Sequence, residues 1–249
     1  MKISIITVCY NSEKTIEKTI ESVLSQKNAE IEYIIIDGGS TDQTIEIINR
    51  YKKNIDFFLS ERDLGIFDAI NKGIIRASGK VISILHSDDI YFNQYTISNV
   101  TRYFNKKTDL ECLIGNTLIT KKKSNEIKRK YGAKIFKKWM LYFGFSPPHP
   151  STFILKEIYK TFGLYSIDFK IAGDFDFYLK IMLKNSVKFL TVDENYVIMK
   201  TGGASSNSFK SNYYSTKEII KSFKKNKLYS NFFLVMLRFP FKLIQYLIR

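Results

Sequence analysis

The sequence predicts an α/β fold, a parallel sheet wrapped by helices, on three observations. Short runs rich in Val and Ile alternate with segments whose apolar residues recur at helical spacing, from Ile3 to Leu85. Two of those runs, IEYIIID and VISILHSDD, stop abruptly at carboxylates, Asp37 and the adjacent pair Asp88–Asp89. Such runs read as strands buried in a sheet, and in an open α/β sheet ligands bind beyond the carboxyl ends of the strands. The third observation is that the acids stand at those very ends. Two neighbouring carboxylates repel unless a cation, a proton or a set of donors compensates them.

In chain order, residues 3–8 form the first strand, and Ser12 is the expected N-cap of a helix whose Ile16, Ile20, Val23 and Leu24 share a face. Residues 31–36 form the second strand. Ser40 and Gln43 then have the spacing of a capping box for a helix carrying Ile45, Ile48 and Tyr51. Residues 56–59 are a short third strand, and Ile66, Ile70, Ile74 and Ala77 mark a helix ended by Gly79. Residues 81–85 are the next strand. After about residue 105 the pattern changes. Residues 110–120 read as a strand, and the basic stretch through Lys130 as an exposed loop. A short amphipathic helix around Trp139, Met140 and Phe143 precedes a stiff Ser-Pro-Pro-His-Pro turn at 146–150, which leads into a strand at 151–155. Residues 174–183 read as a helix opened by acids, 187–190 as a strand and 202–206 as a flexible Gly-Ser loop.

The 249 residues suffice for one large domain or two joined halves, and 45% hydrophobic content with 15% aromatics excludes disorder. Cys9 and Cys112 are too few and too far apart for a disulfide framework, so a reducing, cytosolic setting is expected. The N-terminus reads as a strand rather than a secretory signal. A net charge of +15 favours an anionic partner. Neither zinc-type Cys/His spacing nor an aromatic RNA-binding signature is present, so no nucleic-acid partner is expected. The last stretch, 228–249, is apolar with interspersed Arg238, Lys242 and Arg249 and an internal Pro240. That pattern suits a basic amphipathic helix on an anionic membrane surface better than a membrane span. A helix packed on the domain or on a second subunit is the other reading, which leaves a homo-oligomer open.

Locally, Asp88–Asp89 either bind a divalent metal with diphosphate oxygens completing its shell, or cap the next turn. Asp37 either accepts a hydrogen bond from a base or ribose, or caps the helix that follows. Gly38 and Gly39 permit close approach of a ligand.

In combination these segments resemble the family 2 glycosyltransferases of the inverting GT-A type. The matching stretches are SIITVCYNSEKTIEKTIESVLSQ, EYIIIDGGSTDQT, SERDLGIFDAINKGIIRASGKVISILHSDD and AGDFDFYLKI, in the family's order. Their wording is most similar to enzymes that assemble bacterial surface polysaccharides. The resemblance implies a GT-A, Rossmann-like three-layer sandwich with a mixed central sheet and a C-terminal helical extension. It divides the chain into a nucleotide-sugar half, 1–105, an acceptor and catalytic-base half, 106–205, and a basic extension, 206–249. It places Val8, Tyr10, Asn11, Asp37 and Asp88 around a nucleotide-sugar, with Asp37 on the base, Tyr10 beside it and Asp88 toward the sugar and ribose; Asn71 reads as a further donor contact, and His149 either as a contact to the diphosphate or acceptor or as a structural part of its Pro-rich turn. Asp89 would bind a divalent metal, Mn2+ or Mg2+, on the diphosphate. Asp174 matches the acid usually taken as catalytic base, with Asp176 as the alternative. Where the family has Glu-Asp this chain has Gly173-Asp174, and His86 stands where Asn is frequent, an exchange read as harmless.

The function implied is transfer of a sugar, hexose or N-acetylhexosamine, from a UDP-sugar to a saccharide acceptor carried on a lipid, at the inner face of the cell membrane. A catalytically silent sugar-nucleotide-binding subunit is the competing reading, because of Gly173. A nucleotidyltransferase is disfavoured by the lack of a glycine-rich, basic phosphate loop after the first strand. Lys72 and Arg76 read equally as donor contacts or as a solvated helix face. Glu61 and Asp63 read either as pocket lining or as loop caps.

Overall fold

All seven residues of the first strand, β1 (Ile3–Cys9), are buried, and their side chains divide by parity between two cores. Ile3, Ile5 and Cys9 join one apolar cluster while Ile6 and Val8 join another, as the two-residue period of a strand requires when helices cover both faces. This places β1 at the centre of a three-layer sandwich. In the computed structural model, which describes residues 1–121, 126–200 and 209–239, the chain continues through α1 (Ile16–Leu24), β2 (Ile31–Asp37), α2 (Thr44–Arg50), β3 (Phe57–Ser60), α3 (Ile66–Arg76), β4 (Val81–Ile84), β5 (Asp89–Tyr91) and α4 (Thr96–Lys106). The second half comprises β6 (Cys112–Thr120), β7 (Ile127–Tyr131), β8 (Thr152–Leu155), α5 (Lys156–Phe162), α6 (Gly173–Tyr178), β9 (Phe189–Lys200), α7 (Phe209–Lys225) and α8 (Phe232–Met236).

The strands form one sheet in the order β3-β2-β1-β4-β8-β6-β9-β5, with β7 paired to β6 outside that path. β1 to β4 are mutually parallel, whereas β8 runs antiparallel to both β4 and β6, so the sheet is mixed. In the register of β1 and β2, Cys9 lies opposite Asp37, and β3 brings Ser60 opposite Asp37. The carboxyl ends of three strands thus meet at one edge. Gly79 is needed for close packing of β4 on β1, since a Cβ there would come within 2.6 Å of the Ser4 backbone nitrogen.

Several local expectations are corrected. Ser12 is not the cap of α1: a turn intervenes, and its carbonyl accepts from Thr15 and Ile16. Ser40 is not the cap of α2, because its hydroxyl is drawn to Asp37, and Asp42 instead accepts from the Thr44 backbone at 3.0 Å. The helix expected to end at Gly79 ends at Arg76. The basic stretch before Tyr131 is not all loop. Residues 127–131 form an edge strand on β6, where exposed Lys side chains discourage further pairing. The strand expected at 187–190 extends to Lys200. The helix at Trp139 is a short 3-10 segment, Lys138–Phe143, and the helix after Asp174 passes into a π-helical turn at Leu179–Lys184. The Gly-Ser loop at 202–206 and the chain from Pro240 onward lie outside the described residues. Among the described residues no helix is long and apolar enough to cross a membrane.

Candidate functional site

At the meeting of β1, β2 and β3, Asp37 is fully buried and serves as an acceptor for the loops around it. Oδ2 receives the backbone N–H groups of Gly39 (3.1 Å) and Ser40 (2.9 Å) and the Ser60 hydroxyl (2.7 Å), while Oδ1 receives the Ser40 hydroxyl (2.5 Å) and the Cys9 thiol (3.5 Å). Burial and the Asp37 charge push the Cys9 thiol up, so it stays protonated and donates. Asn11, at φ 47°, accepts from the Thr41 backbone at 2.9 Å and donates its own N–H to Ser40 Oγ at 2.8 Å. These contacts tie the loop after β1 to the loop after β2. Tyr10 is 62% exposed there, whereas Val8 is part of the core below it. At Gly38 a Cβ would collide with the Asp63 carboxylate at 2.4 Å. Glu61 is drawn into an ion pair with Lys72 (2.8 Å), Lys72 also reaches Asp68 (3.3 Å), and the Arg76 guanidinium lies over the Phe57 ring.

The loop after β4 is fastened to the loop after β1 by the Ser12 and Ser87 hydroxyls, 2.8 Å apart. This brings the acid pair to the same edge as Asp37. The two acids are not equivalent. Asp88 is half-buried, but Asp89 is 1% exposed, begins β5 opposite Met199, and neither of its carboxylate oxygens has a partner among the described residues. Burial, with the Asp88 charge beside it, raises the Asp89 carboxyl well above the usual range, which favours its neutral form. Among the described residues no group of three or more His, Cys, Asp or Glu is placed to hold a metal. A divalent ion at this edge therefore depends on one or two carboxylates together with phosphate oxygens of a ligand, as magnesium commonly does. Of the two carboxylates present, the half-buried Asp88 has surface open to such an ion, and both buried oxygens of Asp89 lack a partner among the described residues.

Both histidines of the chain converge beside this pair, although they are 63 positions apart in sequence. The His86 and His149 rings stack with centroids 5.5 Å apart. His149 Nε2 pairs with the Tyr165 hydroxyl at 3.2 Å, and its ring meets Tyr178 edge-on at 6.3 Å. Burial pushes His149 down to about 3 and lowers His86 as well, so both imidazoles are neutral near pH 7. The exchange of Asn for His86 is thus a packing partnership, which its local sequence did not signal. Asn71 supports the same wall from beneath. Its Nδ2 donates to the Tyr165 carbonyl (2.8 Å) and its Oδ1 accepts from the Tyr165 N–H (3.0 Å). Expected as a donor contact, Asn71 spends its amide on clasping this loop to α3.

Tyr178 ends α6, which carries the two candidate bases on different sides. Asp176 is 4% exposed, and its Oδ1 accepts from Ser222 (2.7 Å) and Asn226 (2.9 Å), tying α6 to α7 and the residue that follows it. Asp174 is half-buried, and its Oδ1 accepts from the Phe175 backbone at 2.7 Å. Burial raises the Asp174 carboxyl to about 6, Glu218 adds to the rise, and backbone hydrogen bonds partly offset it. Glu218, which sequence reasoning missed, receives the N–H groups of Lys170, Ile171 and Ala172 at 2.8–2.9 Å and holds the loop that delivers Asp174. No local signal marked it, because its partners lie about 47 positions away. Gly173 has a steric reason: a Cβ there would lie 2.6–2.8 Å from the Phe67 ring of α3.

The model of Glycosyl transferase family 2 matches residues 4–188. An uncharacterised glycosyltransferase of Mycobacterium tuberculosis is 29% identical over 183 residues, covering 73% of this chain and 69% of the relative. The poly-beta-1,6-N-acetyl-D-glucosamine synthase of Staphylococcus epidermidis is 37% identical over 127 residues, 49% of this chain and 30% of the relative. Among solved structures, residues 1–349 of S. aureus TarS in complex with UDP-GlcNAc superpose with a TM-score of 0.69 at 20% identity, over 90% of this chain and 66% of that one. A mannosyltransferase of Pyrobaculum calidifontis in complex with GDP-Man and Mn2+ gives 0.67 at 16%, over 90% of this chain and 63% of that one. The chain thus spans about two thirds of each of these two solved chains, and the likeness establishes the mixed α/β architecture with flanking helices.

Proposed function

The chain belongs to glycosyl transferase family 2, and on that premise we propose that it moves a sugar from a UDP-sugar to a hydroxyl of a lipid-carried saccharide, inverting the anomeric carbon. The observation that carries this reading is the single accessible carboxylate at the head of α6, Asp174, raised to about 6 and separated from the strand-end acids by a wall of neutral rings. A group with that affinity is mostly ionised at pH 7 yet close enough to neutrality to take a proton efficiently. In a single displacement the acceptor oxygen attacks from the side opposite the leaving diphosphate. One acid cannot serve both sides, so Asp174 accepts the proton of the attacking hydroxyl while Asp88 serves the diphosphate side.

The nucleotide is assigned to the cleft at β1–β3, with Tyr10 against the base and the loops held by Asp37 and Asn11 forming its rim. Asp37 acts mainly by fixing that rim, since its oxygens already accept five donors. A divalent ion, Mn2+ or Mg2+, supplies neutralisation of charge on the leaving diphosphate when bound. The sequence reading gave the ion to Asp89, but Asp89 is 1% exposed whereas Asp88 is half-buried and has surface open to a ligand. Asp88 takes that role, and Asp89 supports it from within the sheet. The TarS complex with UDP-GlcNAc favours a UDP-sugar over other donors, and the mannosyltransferase complex makes GDP-mannose the first alternative. A relative that synthesises poly-N-acetylglucosamine supports a polysaccharide setting.

The test is release of nucleoside diphosphate from a panel of UDP- and GDP-sugars, titrated with Mn2+ and Mg2+. Asp88→Asn is expected to lower turnover by about 10²-fold or more and to raise the metal concentration needed. Asp89→Asn, at the buried position behind Asp88, should keep the wild-type metal response. The opposite pattern would return the ion to Asp89, and no metal-dependent release from any donor would refute the transferase reading.

A further inference from the structure

Two stretches of the chain contain no acidic residue: everything between Glu126 and Glu157, and everything after Glu218. Together they carry 14 of the 39 Lys and Arg residues, and the remaining 25 basic residues nearly balance the 24 acids. Almost all of the +15 charge therefore belongs to two segments far apart in sequence. The fold packs them together. The Ser230 hydroxyl donates to the Tyr142 carbonyl (2.9 Å), the Tyr142 ring stacks on Phe223, and Val235 of α8 is buried where Gly144 leaves room for it. Arg238 reaches back from the end of α8 to the Thr216 hydroxyl of α7 at 2.9 Å, which fixes α8 on the domain.

The outer side of this joint is apolar and aromatic. Phe233 is 81% exposed, Tyr229 77% and Trp139 57%, and a shallow hollow of about 440 Å³ is lined by Phe233, Leu234, Met236 and Leu237. Lys134, Lys137, Lys138, Lys224 and Lys227 are exposed on the two segments that meet at this joint. Large exposed aromatics on segments that carry basic and no acidic residues match the headgroup region of an anionic bilayer, where rings sit at the interface and ammonium groups meet phosphate. A second copy of the same face would bring like charges together, which opposes self-association.

We propose that this joint, the 3-10 segment at 138–143 with α8, docks the protein on an anionic lipid bilayer. The surface so formed is composite, with Trp139 as essential as the C-terminal helix. Its position has a purpose under the reading above, on which it rests for the lipid-carried acceptor. The 3-10 segment leads directly into His149, and α7, which carries α8, holds the Asp174 loop through Glu218. An acceptor rising from the bilayer thus meets the base side of the site rather than the donor side.

The experiment is co-sedimentation of the full chain with phosphatidylcholine vesicles with and without phosphatidylglycerol, at low and high salt. The wild type should partition to the anionic vesicles and release as salt rises. Phe233→Glu, Trp139→Glu and the pair Lys137→Glu with Lys138→Glu should each lower the partition coefficient on the order of tenfold or more. All three variants change exposed side chains and should leave nucleoside diphosphate release intact. Equal binding to both vesicle types would overturn the proposal. So would variants that bind like wild type while truncation after Phe239 abolishes binding, which would give the contact to residues 240–249 alone. A dimer dissolved by Phe233→Glu with vesicle binding unchanged would assign the face to a second copy and equally overturn it. Vesicle binding is read without turnover, so intact binding in a protein that transfers no sugar would sink the reaction and spare the docking face.

Discussion

Replacing Asp174 by Asn should damage activity and improve stability at once, because the same burial that makes the carboxylate a base also makes its charge costly. Its ordinary value of 3.8 is raised to about 6 in the folded protein. By linkage that rise corresponds to about 3 kcal/mol, a ceiling since Asp174 retains some solvent contact. The folded state holds the proton more tightly than the unfolded chain, so wild-type stability falls as pH climbs from about 4 to about 6 and then levels. Asn does not titrate and can still accept from the Phe175 N–H. The variant should therefore match wild type below pH ~4 and exceed it above pH ~6, by up to roughly 6 °C in Tm for a chain of this length. Turnover should fall by about 10²–10⁴-fold, the usual contribution of a general base. In wild type the rate should decline through a single acid limb near pH 6. Urea melts and nucleoside diphosphate release across the pH range read both effects. A stability gap that does not change between pH 4 and 8, or an Asn variant with wild-type turnover, refutes the reasoning.

Two further outcomes follow from the loop that carries Asp174. Gly173→Ala should cost about 1–3 kcal/mol by overpacking against Phe67, and adding Phe67→Leu should recover much of that loss; strictly additive Tm changes in the double variant would break the argument. Glu218→Gln should weaken three hydrogen bonds to the backbone at 170–172, lowering kcat while leaving KM for the donor in place. Removing the Glu218 charge should also move the acid limb below pH 6, and an upward movement would contradict the electrostatic role given to it.

The strand-end edge was legible because its determinants are contiguous. The apolar runs ending at Asp37 and Asp88 state both the strand and the residue at its tip, and parallel pairing brings those tips to one edge without further information. The wall between that edge and α6 was not, because its determinants are long-range. Asn71 presents itself in sequence only as a polar residue on a helix, and its partner Tyr165 lies 94 positions on. His86 and His149 become a pair only after β8 inserts beside β4. The burial that separates Asp88 from Asp89 is likewise invisible locally, since it depends on β5 pairing with β9 more than a hundred residues later. The basic run before Tyr131 misled for the opposite reason. Its charges hide an edge strand whose ladder partner, β6, is itself plainly apolar.

Gly173 is where the competing reading of a silent subunit has to be judged. Loss of the Glu that the family carries beside the base would be a lesion if it left an empty place in the site. The place is filled: the Phe67 ring, 6% exposed, occupies the position a side chain at 173 would need, and stacks on Tyr165 at 5.9 Å. Tyr165 in turn pairs with His149 and is clasped by Asn71 from the same helix that carries Phe67. With Gly at 173, Phe67 of α3 thus builds a packed wall that links the acid edge to α6. The absence of Glu at 173 also removes a second negative charge from the immediate neighbourhood of Asp174. With Glu at 173 a like charge would press the Asp174 proton affinity further up; with Gly it stays near 6, where a carboxylate is ionised at neutral pH and still a useful base. A silenced subunit has no reason to keep that carboxylate half-buried, delivered by Glu218 and without a side-chain partner among the described residues. An active transferase does.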